Sequence, residues 1–268
     1  MTISTMTAST MTTSTMTTST MTTGRRLASY WRFMHCQWLN LVREPAYTLP
    51  TLLFPIMFYL FFGVLMIPGL ASYLLATYAT FGVLGAALFA FGVNVATERA
   101  QGYFTLIRAT PAPLLGVVAG KWFGAALFGA IIVVSLSVMA AAFGEVRLAS
   151  SQWWGLLGVL MLGTLPFCLL GLGLGLMLSP NAAPAVINLI YLPMGFLSGL
   201  WVPLSQFPSW LQAVAPWLPP YHLAALALHV TGVQSTEPLG HVFALLVFSL
   251  LFAGLVGWGW RRMLAQPK

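Results

Sequence analysis

Thr97-Glu98-Arg99-Ala100-Gln101-Gly102-Tyr103-Phe104-Thr105-Leu106-Ile107-Arg108-Ala109-Thr110-Pro111-Ala112-Pro113, closed by Lys121, is a polar island between two long apolar runs. It holds four of the seven charged residues that lie between Glu44 and Arg261. Hydrocarbon is a costly place for such a cluster, so the segment belongs in water or among lipid headgroups, within reach of another protein. The flanking runs are hydrocarbon-facing material. Of 268 residues, 59% are hydrophobic and 6% charged, with a mean hydropathy of +0.89, too little polar surface to cover a soluble globule. The runs are long and continuous rather than short and alternating, so they read as helices, each crossing taking roughly 20 residues.

The fold expected is therefore all-α: a polytopic membrane protein with six transmembrane helices, at about 46–67, 74–95, 122–143, 154–178, 185–203 and 239–260. Six crossings place both ends on one side. Arg25, Arg26, Arg32, Arg43, Arg99, Arg108, Lys121, Arg261, Arg262 and Lys268 fall together on that side, and only Arg147 falls opposite. The positive-inside rule makes the shared side cytoplasmic, so both termini are expected inside. The same topology accounts for the net charge of +7. The basic residues are spread through loops and ends without a groove-forming cluster, so no nucleic-acid partner is expected.

Residues 1–24 are a low-complexity tail built on a five-residue Met-Thr-x-Ser-Thr repeat, and Met21 is an alternative translation start. It has neither the basic nor the continuous apolar region of a signal peptide. Over 25–44, Leu27, Tyr30, Trp31, Met34, Trp38 and Leu41 form one helical stripe, with Arg25, Arg32, Asn40 and Arg43 opposite, as in a helix lying in the headgroup layer. An ordinary linker ahead of the first span is the plainer alternative. The six-span region covers 45–262, and 263–268 form a cytoplasmic tail. Residues 204–238 are too apolar for an ordinary loop. Prolines divide them into two short amphipathic helices, expected to dip into the outer interface without crossing.

Much chemistry is missing from the sequence. There is no phosphate-cradling loop; the nearest stretch, Gly116 to Lys121, has three residues between its glycines and runs on to Trp122. Gly171 and Gly175 make a small-xxx-small face inside an apolar run, suited to close helix packing. The four histidines, His35, His222, His229 and His241, show no acidic neighbours at ligand spacing, and Cys36 and Cys168 form no disulfide framework. The chain has no aspartate, and Glu44, Glu98, Glu145 and Glu237 fall outside the predicted span interiors. No intramembrane carboxylate is thus available for ion coupling, and no catalytic set converges. Energy for any uphill movement has to enter from outside the bilayer.

The island is the place for it to enter. Thr97-Glu98-Arg99 can open a short helix running through Tyr103, Leu106 and Ile107 until Thr110-Pro111 stops it. Glu98 and Arg99 would offer charge to a partner groove, and Tyr103, Phe104 and Ile107 apolar area. The alternative is an interfacial helix that only anchors the loop.

Glu98-Arg99-x-x-Gly102, Arg108-Ala109-Thr110-Pro111 and Gly120-Lys121 resemble the signature of type-2 ABC transporter permeases. Phe196-Leu197-Ser198-Gly199-Leu200-Trp201, Pro203, Pro208, Trp210 and Pro216 to His222 are similar to that family's fifth span and external re-entrant segment. The resemblance implies a transport subunit without an ATPase site, binding two copies of a separate ABC ATPase subunit. A second permease copy, giving a homodimer surrounded by membrane lipid, is implied with it. This chain would bind no cofactor, and the partner would use ATP and Mg. The coupling residues implied are Glu98, Arg99, Gly102, Tyr103, Ile107, Arg108 and Pro111, with the turn Ser179-Pro180-Asn181 as a second contact. Phe58, Tyr78, Asn188 and Tyr191 would line a path along spans one, two and five. No metal residue and no catalytic residue is implied. The expected function is export of a hydrophobic or amphipathic compound (a drug, lipid or natural product), since uncharged span interiors offer no fixed charge to an ionic solute. Export of a lipid-linked polysaccharide and a non-transporting scaffold or sensor remain alternatives.

Overall fold

A computed structural model describes residues 45–104 and 114–265. The tail at 1–24, the helix expected at 25–44, and Ile107, Arg108 and Pro111 lie outside the described residues. Among the described residues all regular structure is helical. Helix α1 (Pro45–Phe58) passes into a π-helix, Tyr59–Met66, and a 3₁₀ turn at Pro68–Leu70 leads to α2 (Ala71–Ala100). Then come α3 (Leu114–Phe143), α4 (Ser150–Gly163), α5 (Leu165–Gly175) and α6 (Ala183–Leu197). The short α7 (Ser209–Val214), α8 (Pro219–Val230) and α9 (Pro238–Ala265) complete the order.

Ala71–Ala100, Val118–Phe143, Ser150–Gly175 and Pro238–Met263 are long and apolar enough to cross a bilayer, while Thr51–Met66 and Ala183–Leu197 are apolar but shorter. Helical structure lies within each of the six stretches expected to span, and in the fifth it stops at Leu197, short of the expected 203. Helix α2 is the axis of the fold: 94% of its most apolar stretch is buried, against 6% for α9. Its sequence explains this position. Alanines and glycines such as Ala76, Ala79, Gly82, Gly85, Ala86 and Gly92 leave its surface low, so neighbours approach its backbone closely. Gly171 and Gly175 of α5 face it as expected, and a Cβ on Gly175 would stand 2.7 Å from the carbonyl oxygens of both Phe91 and Gly92. On another flank Ile187 and Tyr191 of α6 press on Gly92 and Gly85. Helix α9 packs on α5 through Leu255 against Gly173, and turns Leu239, Phe243, Leu246 and Leu250 outward, as suits a lipid-facing helix.

The hydrogen-bond ladder of the fourth predicted span is interrupted once, at Thr164, where the backbone stays helical. Pro166 has no N–H to continue the ladder, and the joint falls at Thr164 between α4 and α5. Thr164 Oγ1 donates to the Met161 carbonyl at 2.6 Å and accepts from Trp122 Nε1 at 3.1 Å, so the polar joint is satisfied inside the apolar bundle.

Two sequence expectations shift here. The helix expected to open at Thr97 does not open there, because α2 runs unbroken to Ala100 and puts Glu98 and Arg99 on its last turn. The break comes at Gly102, whose φ of 76° is left-handed backbone that glycine adopts without a Cβ clash. The segment 204–238 is helical as expected, with prolines at the starts of its helices, but α8 is not a surface helix. Leu223 to Leu228 are all buried, held against α2, α4 and α9.

Candidate functional site

At the end of α2, adjacent polar side chains reach in different directions. Arg99 donates from Nη1 to the Leu176 carbonyl and from Nη2 to the Leu178 carbonyl, each at 2.7 Å. These oxygens lie just past α5, among the carbonyls a helix end leaves without internal partners and where its dipole is negative. The planar guanidinium fits two such acceptors at once. Glu98 Oε1 accepts from Lys121 Nζ of α3 at 2.5 Å, with the side chains only 18% and 6% exposed. Lys121 is buried beside a carboxylate because an unpaired ammonium there would carry a large desolvation cost. The second carboxylate oxygen, Oε2, is buried without a hydrogen-bond partner among the described residues.

The last turn of α2 therefore clasps α3 and α5. Both charges expected to reach a partner groove are engaged within the chain instead. Arg99 also joins the two predicted contact segments, because Leu178 directly precedes Ser179-Pro180-Asn181. In that turn Ser179 and Asn181 are exposed and Pro180 is half-buried, with the Ser179 carbonyl accepting from the Ala182 and Ala183 N–H groups. Beyond Gly102, Tyr103 is half-buried, and Phe104 is 7% exposed against the Trp260 ring at 6.0 Å. So Phe104 anchors the segment to α9.

Phe58, Tyr78 and Tyr191, predicted to line a path, belong to one aromatic cluster. Phe58 lies 6.2 Å from Tyr78 and 5.7 Å from Trp201, Trp201 lies 5.5 Å from Phe81, and Phe81 stacks on Tyr191 at 4.5 Å. The Tyr191 hydroxyl donates to the Phe81 carbonyl at 3.1 Å, and the Tyr78 hydroxyl to the Trp201 carbonyl at 3.4 Å. Tyr78 and Tyr191 are buried in helix packing, whereas Phe58 is half-buried at the cluster's edge. Asn188 is separate, on the exposed face of α6 near Leu189 and Leu192. Trp201, in the sequence only part of the fifth-span signature, joins α1, α2 and the end of α6 through Phe58, Phe81 and Phe196. Lys121 carried a signal, being the cation that closes the island. The Leu176 and Leu178 carbonyls carried none, since a backbone acceptor has no residue identity.

Among the described residues no group of three or more His, Cys, Asp or Glu side chains gathers where a metal could be held. A protein of Bacillus subtilis (strain 168) described as "Putative transport permease YvfS" is 26% identical over 221 residues, covering 80% of this chain and 89% of the relative. Residues 28–231 match the family described as ABC-2 type transporter, and so take in the clasp, the turn at 179–181 and the aromatic cluster alike: the chain belongs to the ABC-2 type transporter family.

Proposed function

We propose that this chain is the permease subunit of an ATP-driven exporter for a hydrophobic or amphipathic compound, taken from the cytoplasm or inner leaflet. One observation carries the reading. Lys121 is the single charged residue among the buried side chains described, and it is neutralised by Glu98, so the helix interior presents aromatic and small apolar groups and no fixed charge for an ionic solute. The same lack of intramembrane carboxylates leaves a separate ABC ATPase as the energy source, with ATP and Mg used there. Six crossings, both termini in the cytoplasm of a bacterial cell, a homodimer of permeases and two ATPase copies complete the assembly. Residues 97–113 and the 179–181 turn receive the ATPase, and the clasp transmits its movement to α2, α3 and α5 together. Glu98 and Arg99 then act as positioning residues, while Tyr103, Ser179 and Asn181 offer surface. The test is native co-purification followed by a compound screen for stimulated ATP hydrolysis. The expected result is an ATPase subunit in the complex and stimulation by apolar or amphipathic compounds. Absence of any ATPase from the native complex overturns the transporter reading, and stimulation only by ionic solutes overturns the cargo class.

A further inference from the structure

On the face of the bundle away from the clasp, His222 of α8 and His241 of α9 bring their Nδ1 atoms to 2.9 Å. His222 Nε2 lies 2.9 Å from the Pro216 carbonyl oxygen. A carbonyl only accepts, so Nε2 carries the hydrogen and the Nδ1 of His222 keeps its lone pair. His241 therefore donates from Nδ1 to His222. Burial lowers His222 from the ordinary histidine range, against a smaller raising effect of the Pro216 carbonyl, which favours the neutral ring. The aromatic rings against the pair are uncharged: Tyr221, 5.3 Å and 5.8 Å from the two imidazoles, and Phe248, 6.1 Å from His222.

We propose that His222 and His241 form a two-histidine site for a divalent late first-row transition ion, which displaces the hydrogen bond between their Nδ1 atoms, sits beside the line joining them once the rings turn toward it, and clamps α8 to α9. Three features point to it. The rings come from two helices and bring the same nitrogen, Nδ1, of each within 2.9 Å. The Nε2–H of His222 is held by a backbone carbonyl, the outer support that fixes tautomer and orientation in metal-ligating histidines. With metal–nitrogen bonds of about 2.05 Å, a 2.9 Å separation sets an N–metal–N angle of about 90°. That angle suits adjacent positions of the tetragonal geometry taken by Cu²⁺ or Ni²⁺, whereas tetrahedral Zn²⁺ requires the rings to part by about 0.4 Å. Binding moves the His241 proton from Nδ1 to Nε2 through solvent, so both rings stay neutral and both Nδ1 lone pairs face the ion. Waters fill the other positions.

Metal binding at this pair is independent of transport. The test is calorimetric titration of the full chain, purified without a histidine tag and carrying His35→Ala and His229→Ala, with Cu²⁺ or Ni²⁺ alone. One equivalent per chain is expected, weakening as pH falls and protons compete. His222→Ala or His241→Ala should each cut affinity by at least about tenfold, the loss that even outer-shell changes cause. A melting curve without metal separates lost binding from lost folding, and His241→Asn serves if the alanine variant does not fold. No binding by the parent, or equal binding across variants that fold, overturns the proposal.

Discussion

Lys121 and Glu98 show how a charge survives in an apolar bundle. Breaking such a pair from either side leaves an uncompensated buried ion, at a cost of about 3–5 kcal/mol, whereas removing both partners costs far less. Lys121→Met and Glu98→Gln are each expected to lower the melting temperature in detergent sharply, and the double variant to recover most of the loss. Additive losses would show that the two residues are independent. Arg99 follows a different rule, since its worth lies in two parallel donors. Arg99→Lys keeps the charge but loses the fork, so melting should place it between the wild type and Arg99→Ala. Each charge-assisted bond contributes about 1.5–3 kcal/mol. Equal stability of Arg99→Lys and wild type would mean that the Leu176 and Leu178 carbonyls need only a point charge.

Helix α5 meets α2 through glycine, in contrast to the aromatic packing that joins α1, α2 and α6. A Cβ at Gly175 would press on two backbone carbonyls of α2, which cannot move aside as a flexible side chain can. Gly175→Ala should therefore destabilise by about 1–3 kcal/mol, the usual cost of overpacking, measured by thermal unfolding. Gly254→Ala is the matched control, because nothing stands within 4 Å of a Cβ there, and it should be neutral or slightly stabilising. The clasp sets the next prediction at this scale. Glu98→Ala together with Arg99→Ala frees the end of α2 from α3 and α5, so in the assembled complex ATP hydrolysis should continue while transport falls. Transport and hydrolysis that stay in proportion would show that the clasp carries no movement.

For the whole molecule, the question is which side each end faces. Gln101 and Gln234 are both exposed, one just past the clasp and the other between α8 and α9. In a Cys36→Ser background, a membrane-impermeant maleimide applied to intact cells should label Gln234→Cys and leave Gln101→Cys unlabelled until the cells are opened. Cys168 adds no background, being 4% exposed inside α5. The reverse labelling would overturn the positive-inside assignment, and with it the place where an ATPase could dock.

Membrane residence, helical class and the approximate limits of the six apolar stretches were legible in the sequence, because a chain in hydrocarbon has to satisfy its backbone within each segment, and that need is written locally. The close-packing role of Gly171 and Gly175 was legible for the same reason, being a matter of size and spacing on one helix. What the polar residues of the island touch was decided only by the tertiary structure. Glu98 meets Lys121 across 23 positions and Arg99 meets carbonyls 77 and 79 positions away, and no local pattern encodes such partners. His222 and His241 looked isolated for a like reason, since Pro219 and Pro238 start the two helices whose packing brings the rings together. Sequence fixes which groups need a partner; packing of the helices around α2 chooses the partner, because only then do distant segments share one low-dielectric space.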